Sequence, residues 1–175
     1  FALPFLSMID ISVVKPQVLV LAPTRELAIQ VAEAFQSYSK QLKGFHVLPI
    51  YGGQDYEIQL RGLKRGVHVI VGTPGRLMDL LRRQVISVEA LKAVVLDEAD
   101  EMLNMGFIED IEWILSQIPP EHQTALFSAT LSPSIQKIAN KYLKDPKKVL
   151  LKSENGSVDA IDQSFIRVNN SDKLD

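Results

Sequence analysis

Apolar residues fall along this chain in short continuous runs, separated by longer stretches in which they recur every three or four positions. The runs are Gln17–Leu21 (QVLVL), Phe45–Ile50, Val67–Val71 (VHVIV), Lys92–Leu96, Thr124–Phe127 and Lys148–Leu151. Strands buried on both faces read this way, because neither face alternates with solvent. Between the runs, Glu26–Leu42 carries Leu27, Ile29, Val31, Ala34 and Phe35, mostly at helical spacing. Tyr56–Lys64, Arg76–Arg83, Ile108–Ile118 and Ser134–Leu143 read as further helices. Gly52-Gly53, Gly72-Thr73-Pro74-Gly75 and Pro119-Pro120 punctuate the pattern. Six strands alternating with helices predict an α/β fold, a doubly wound parallel sheet with helices on both faces.

The two ends of the chain read differently. Phe1-Ala2-Leu3-Pro4-Phe5-Leu6 has the pattern of a helix already under way, so the chain reads as beginning inside a domain. Residues 1–152 then form the main unit. Ser153–Ala160 (SENGSVDA) is polar, either a surface loop or an interdomain linker. The linker is the preferred reading, because Ile161–Val168 alternates like a fresh strand, and 161–175 reads as the start of a second domain.

Composition narrows the class. Apolar content of 46% suits a globular core, and 175 residues suit one domain or one domain plus a fragment. Net charge is −2. A polyanion partner must therefore be met locally, by backbone N–H groups and a few arginines, rather than by an overall positive field. The absence of cysteine excludes disulfides and thiolate metal sites, and fits a cytoplasmic location. No apolar run approaches the ~20 residues that span a bilayer, so no membrane partner is expected.

Chemistry concentrates where strands end, the position at which open α/β sheets place ligands. Asp97, Glu98 and Asp100 put three carboxylates into four positions directly after a strand. They would repel one another, and Mg²⁺ on a nucleotide phosphate is a fitting counter-charge. The bland alternative is a solvated acidic turn. Pro23-Thr24-Arg25-Glu26 and Thr73-Pro74-Gly75-Arg76 share a logic of hydroxyl, proline and arginine at a helix start. Each offers N–H donors and a cation to an anion, and each is equally an ordinary capped helix. Gly52-Gly53 allows a tight turn or the close approach of a phosphate or ribose. Ser128-Ala129-Thr130 could hydrogen-bond the carboxylates if the two strands are neighbours. His46, His68 and His122 show no metal-site spacing, Trp113 reads as core, and Lys137, Lys141, Lys144, Lys147 and Lys148 read as a solvated face.

Taken together, these motifs resemble the DEAD-box family of ATP-dependent RNA helicases. Asp97-Glu98-Ala99-Asp100 is the motif that names the family. PTREL at 23–27, GG at 52–53, TPGR at 73–76 and SAT at 128–130 stand in the family's order. Glu101–Phe107 and the following helix look most like bacterial members of the cold-shock DeaD/CsdA type. The resemblance implies a RecA-like domain, most of the first of two lobes, with ATP between the lobes and RNA across both. By motif, Asp97 would hold Mg²⁺ through water and Glu98 would position and deprotonate the attacking water. Asp100, Ser128 and Thr130 would link the nucleotide site to RNA and to the second lobe. Pro23, Thr24, Arg25, Glu26, Gly52, Gly53, Thr73, Pro74, Gly75 and Arg76 would contact the RNA sugar-phosphate backbone without reading sequence.

The resemblance also implies a phosphate-binding Gly-Lys-Thr loop and its strand ahead of Phe1, and an adenine-reading segment before that. The 175 residues alone are therefore expected to lack ATPase and unwinding activity, and to expose a normally central strand. Two other functions stay open from sequence: a non-enzymatic RNA-binding scaffold, and a DNA translocase on the same core.

Overall fold

The computed structural model describes residues 1–151. The expected linker at 153–160 and the second-domain start at 161–175 lie outside the described residues. Five strands form one parallel sheet: β1 (Val18–Leu21), β2 (Val47–Ile50), β3 (Val69–Gly72), β4 (Ala93–Leu96) and β5 (Gln123–Leu126), in the spatial order β2-β3-β1-β4-β5. β1, β3 and β4 are buried throughout, which is why their sequences are unbroken apolar runs. Seven helices accompany them among the described residues: α1 (Ala2–Leu6), α2 (Arg25–Tyr38), α3 (Tyr56–Lys64), α4 (Pro74–Arg82), α5 (Ala99–Asn104), α6 (Ile108–Ser116) and α7 (Pro133–Tyr142).

Alternation along each strand sends side chains into two separate cores. Leu19, Leu21, Ile70, Val94 and Leu96 pack with α3 to α7 on one face. Val18, Val20, Val69, Val71, Ala93 and Val95 pack with α1 and α2 on the other. Phe35 of α2 is fully buried and anchors the second core. The doubly wound architecture read from the sequence is the one observed.

Two expectations are corrected. Lys148–Leu151 forms no strand: Val149, Leu150 and Leu151 are 83%, 69% and 92% exposed. The run has strand composition, yet no neighbouring strand among the described residues offers it a ladder, and an apolar run without a ladder is not a strand. Conversely, the residues after the acidic cluster form a short helix, α5, that periodicity did not reveal, because six residues are too few to show a helical repeat.

β2, β3 and α4 meet at Gly72. A Cβ there would lie 2.4 Å from the Ile50 carbonyl oxygen and 2.9 Å from Leu77 Cγ. Gly72→Ala is therefore expected to lower unfolding free energy by about 1–3 kcal/mol through overpacking. A chemical-denaturation midpoint equal to that of the wild type would show that this junction yields freely.

Candidate functional site

Because all four strand pairings are parallel, every strand exit lies on one rim. The strands also end level: Leu21 stands opposite both Gly72 and Leu96, Ile50 opposite Gly72, and Leu96 opposite Leu126. The ladder runs one residue past β1, β3, β4 and β5. Thr73 N donates to Ile50 O, Ala22 N to Gly72 O and Asp97 N to Leu21 O, each at 3.0 Å, and Phe127 N donates to Leu96 O at 2.8 Å. The first residue of each of these four loops is thus pinned to its neighbour. At a strand spacing of about 4.8 Å, the five exits span about 19 Å.

Along this rim the motifs sort by chemistry rather than by sequence order. Gly52-Gly53, Thr73–Arg76 and Pro23–Glu26 follow β2, β3 and β1, which are adjacent. Asp97–Asp100 and Ser128–Thr130 follow β4 and β5, adjacent at the other end.

In the acidic half, Asp97 is half-buried, and that burial pushes its carboxyl above the ordinary range, offset by the Glu98 N–H that donates to Oδ1 at 3.1 Å. Glu98 is exposed and sits in the left-handed region, φ 48° and ψ 52°, as the N-cap of α5. A non-glycine residue rarely adopts this conformation, and such strain collects at functional positions. Asp100 accepts from Thr130 N at 3.0 Å, while Ser128 Oγ donates to Thr130 O at 2.7 Å. Burial raises the Asp100 carboxyl, but hydrogen bonds from Thr130, Ser128 and backbone N–H groups outweigh it and hold the group below its usual value. The condition set from sequence, that β4 and β5 be neighbours, is met, and the contact is made to Asp100 by the backbone N–H of Thr130.

In the other half, the two helix starts differ. Thr24 caps α2, its Oγ1 accepting from Leu27 N at 3.2 Å. Thr73 stands before Pro74 at the start of α4 and makes no side-chain cap. Arg25 is exposed and paired with Glu26. Arg76 is half-buried, its Nη1 donating to Gln59 Oε1 at 3.1 Å and its guanidinium 5.6 Å from the Tyr56 ring centre. Gly53 takes φ 82°, the conformation its tight turn requires, and Gly52 is exposed.

The sequence profile of the DEAD/DEAH box helicase family matches residues 1–138. The chain belongs to the DEAD/DEAH box helicase family. It is 56% identical to the ATP-dependent RNA helicase DeaD of Buchnera aphidicola (from Schizaphis graminum) over 94% of its length, and 52% identical to DeaD of Escherichia coli over the same share. It spans 28% and 26% of those relatives, about a quarter of their length. Among solved structures, a DEAD box protein from the hyperthermophile Methanococcus jannaschii superposes with a TM-score of 0.79 at 40% identity, covering 83% of this chain and 39% of that one. The RecA-like fold read from the motifs is the one this neighbour shares.

For a DEAD/DEAH box chain, the rim also holds a residue that motif reading missed. Gln59 is fully buried on α3, between the rim turn after β2 and Arg76. Its signal was present in the sequence: Tyr56, Leu60 and Leu63 mark the apolar stripe of α3, and Gln59 is a polar residue within it. Other residues play the structural parts read for them. His68 is buried at the opposite end of the sheet, where Nδ1 accepts from His46 N at 3.1 Å and Nε2 meets Ile11 O at 3.2 Å. Trp113 packs against the core beneath Arg82, 5.0 Å from its ring centre. Lys141 pairs with Glu112 on an exposed face. No helix among the described residues is long and apolar enough to cross a membrane.

The Asp100–Thr130 bond has a defined pH window. A carboxylate held below its ordinary value contributes fully at neutral pH and is lost only as pH falls through that lowered value. The Thr130 amide resonance is therefore expected to move with a midpoint below that of an ordinary aspartate. A midpoint at or above that of an ordinary aspartate would contradict the bond.

Proposed function

We propose that this chain is part of the first lobe of an ATP-dependent RNA helicase, in which ATP binding and hydrolysis are coupled to local opening of RNA duplexes in the cytoplasm. The observation that carries the reading is the division of one rim into a carboxylate half and a half built of helix starts, arginines and a glycine turn. The names of its DeaD relatives support the same reaction class.

Phosphoryl transfer to water asks a protein mainly for positioning and charge neutralisation. The donor set at β4 suits Mg²⁺: hard carboxylate oxygens, few enough that phosphate and water complete the shell. When bound, Mg²⁺ neutralises phosphate charge. Asp97, half-buried at the strand exit, would hold it through water. Glu98, exposed at the rim and fixed by its left-handed backbone, orients the attacking water and accepts its proton. The Asp100–Thr130 bond ties this end to the loop after β5, which makes Asp100, Ser128 and Thr130 the link toward a second RecA-like lobe. The 175 residues contain no Gly-Lys-Thr loop.

RNA lies over the other half. The N–H groups at the starts of α2 and α4, with Arg25 and Arg76, meet phosphates; Pro23 and Pro74 preset the turns, and Gly52, Gly53 and Gly75 leave room for the chain. Thr24, Thr73 and Glu26, at the same two helix starts, would contact the same RNA backbone. The Arg25–Glu26 pair is exposed, and such pairs are weak, so a phosphate displaces it readily. Backbone contacts of this kind carry no base sequence, and a 2′-hydroxyl contact favours RNA over DNA.

The test uses the longer protein that contains this chain. Glu98→Gln is expected to reduce RNA-stimulated ATP hydrolysis by about 10²-fold or more while RNA binding is kept. Hydrolysis at the wild-type rate would remove Glu98 from the mechanism. RNA binding by a wild-type protein that hydrolyses no ATP would favour a scaffold over an enzyme.

A further inference from the structure

We propose that Gln59 is a positioning residue that sets RNA affinity by locking the Gly52-Gly53 turn to Arg76. The inference rests on the RNA-facing reading of the rim. Gln59 lies outside every family motif quoted above, yet it is the junction of three segments distant in sequence. Its Nε2 donates to Tyr51 O at 2.9 Å and to Gln54 Oε1 at 2.9 Å, and its Oε1 accepts from Arg76 Nη1 at 3.1 Å. Arg76 Nη1 also reaches Gln54 O at 3.4 Å.

The amide orientation is forced by chemistry. A backbone carbonyl only accepts and a guanidinium only donates, so Nε2 must face Tyr51 and Oε1 must face Arg76. The bonds to Tyr51, Gln54 and Arg76 are made in a fully buried setting, where an unpaired amide would be costly and a paired one is rigid. Arg76 is thereby held by its Nη1 edge and by the Tyr56 face, which fixes the direction of its remaining donors. The Gly52-Gly53 turn gains the rigidity that two adjacent glycines cannot supply themselves. The two rim segments that follow β2 and β3 are thus held as one preformed surface, and preformed surfaces bind more tightly because less freedom is lost on binding.

A positioning role differs from a purely structural one in what it moves. In the longer protein, Gln59→Leu keeps the apolar stripe of α3 and removes all three bonds. It is expected to raise the RNA concentration for half-maximal ATPase about tenfold, while the maximal rate at saturating RNA stays within about twofold. Arg76→Ala is expected to raise the same concentration, and the double variant to raise it by less than the product of the two single effects, because the residues act as a unit. Where Gln59→Leu is too unstable to purify, Gln59→Glu makes the same measurement: it keeps an acceptor for Arg76 and loses both donations to the turn. It is expected to raise the half-saturating RNA about threefold.

An Arg76→Ala effect with Gln59 variants at the wild-type half-saturation would overturn the proposal and leave the RNA-facing rim intact. So would a fall in maximal rate at unchanged half-saturation. A wild-type protein that neither binds RNA nor responds to it would overturn the rim reading, and this proposal with it.

Discussion

The parallel ladder on either side of β1 is the constraint from which the rest follows. Leu21 stands opposite Gly72 on one side and Leu96 on the other, so three exits leave the sheet at one level. β2 and β5 extend the same register outward. In an antiparallel sheet, alternate exits would leave at opposite ends, and the carboxylates would be separated from the arginine-bearing helix starts. Parallel direction in turn requires crossovers, and the helices that make them supply the starts that carry Arg25 and Arg76.

Strand order then arranges charge. The acids follow β4, the hydroxyls of Ser128 and Thr130 follow β5, Arg25 and Arg76 follow β1 and β3, and the boundary falls between β1 and β4. Segments of like chemistry adjoin although they are far apart in sequence. Within the acidic half the three carboxylates are not equivalent. Asp97 is raised by burial, Asp100 is lowered by the bonds it accepts, and Glu98 is exposed on a strained backbone. That strain costs of order 1–3 kcal/mol and persists because Asp97 on one side and α5 on the other hold the turn. One peptide segment thus presents three acids in three environments.

Much of this was legible in the chain. Val18–Leu21, Val69–Val71 and Ala93–Leu96 are strands because nothing but a two-sided burial explains unbroken β-branched and leucine runs between loop signals. Thr24 reads as a cap and is one. Two features defeated pattern reading for opposite reasons. Lys148–Leu151 has the composition of a strand, but strands need partners, and a partner is not a property of the segment itself. Gln59 looked like one more polar helix residue, and its importance lies in groups 8 residues before it and 17 residues after it.

By itself, then, the sequence determined five strands and all the helices but α5, their alternation, the two-faced sheet and the types of group at each exit, because these depend on local periodicity and side-chain chemistry. Only the tertiary structure decided which exits adjoin, that Asp100 reaches across to Thr130, that Thr73 leaves its hydroxyl out of the cap, and that a buried amide joins the glycine turn to Arg76. Those facts depend on strand order and register, which are set by the packing of whole elements against one another and not by any stretch of residues read alone.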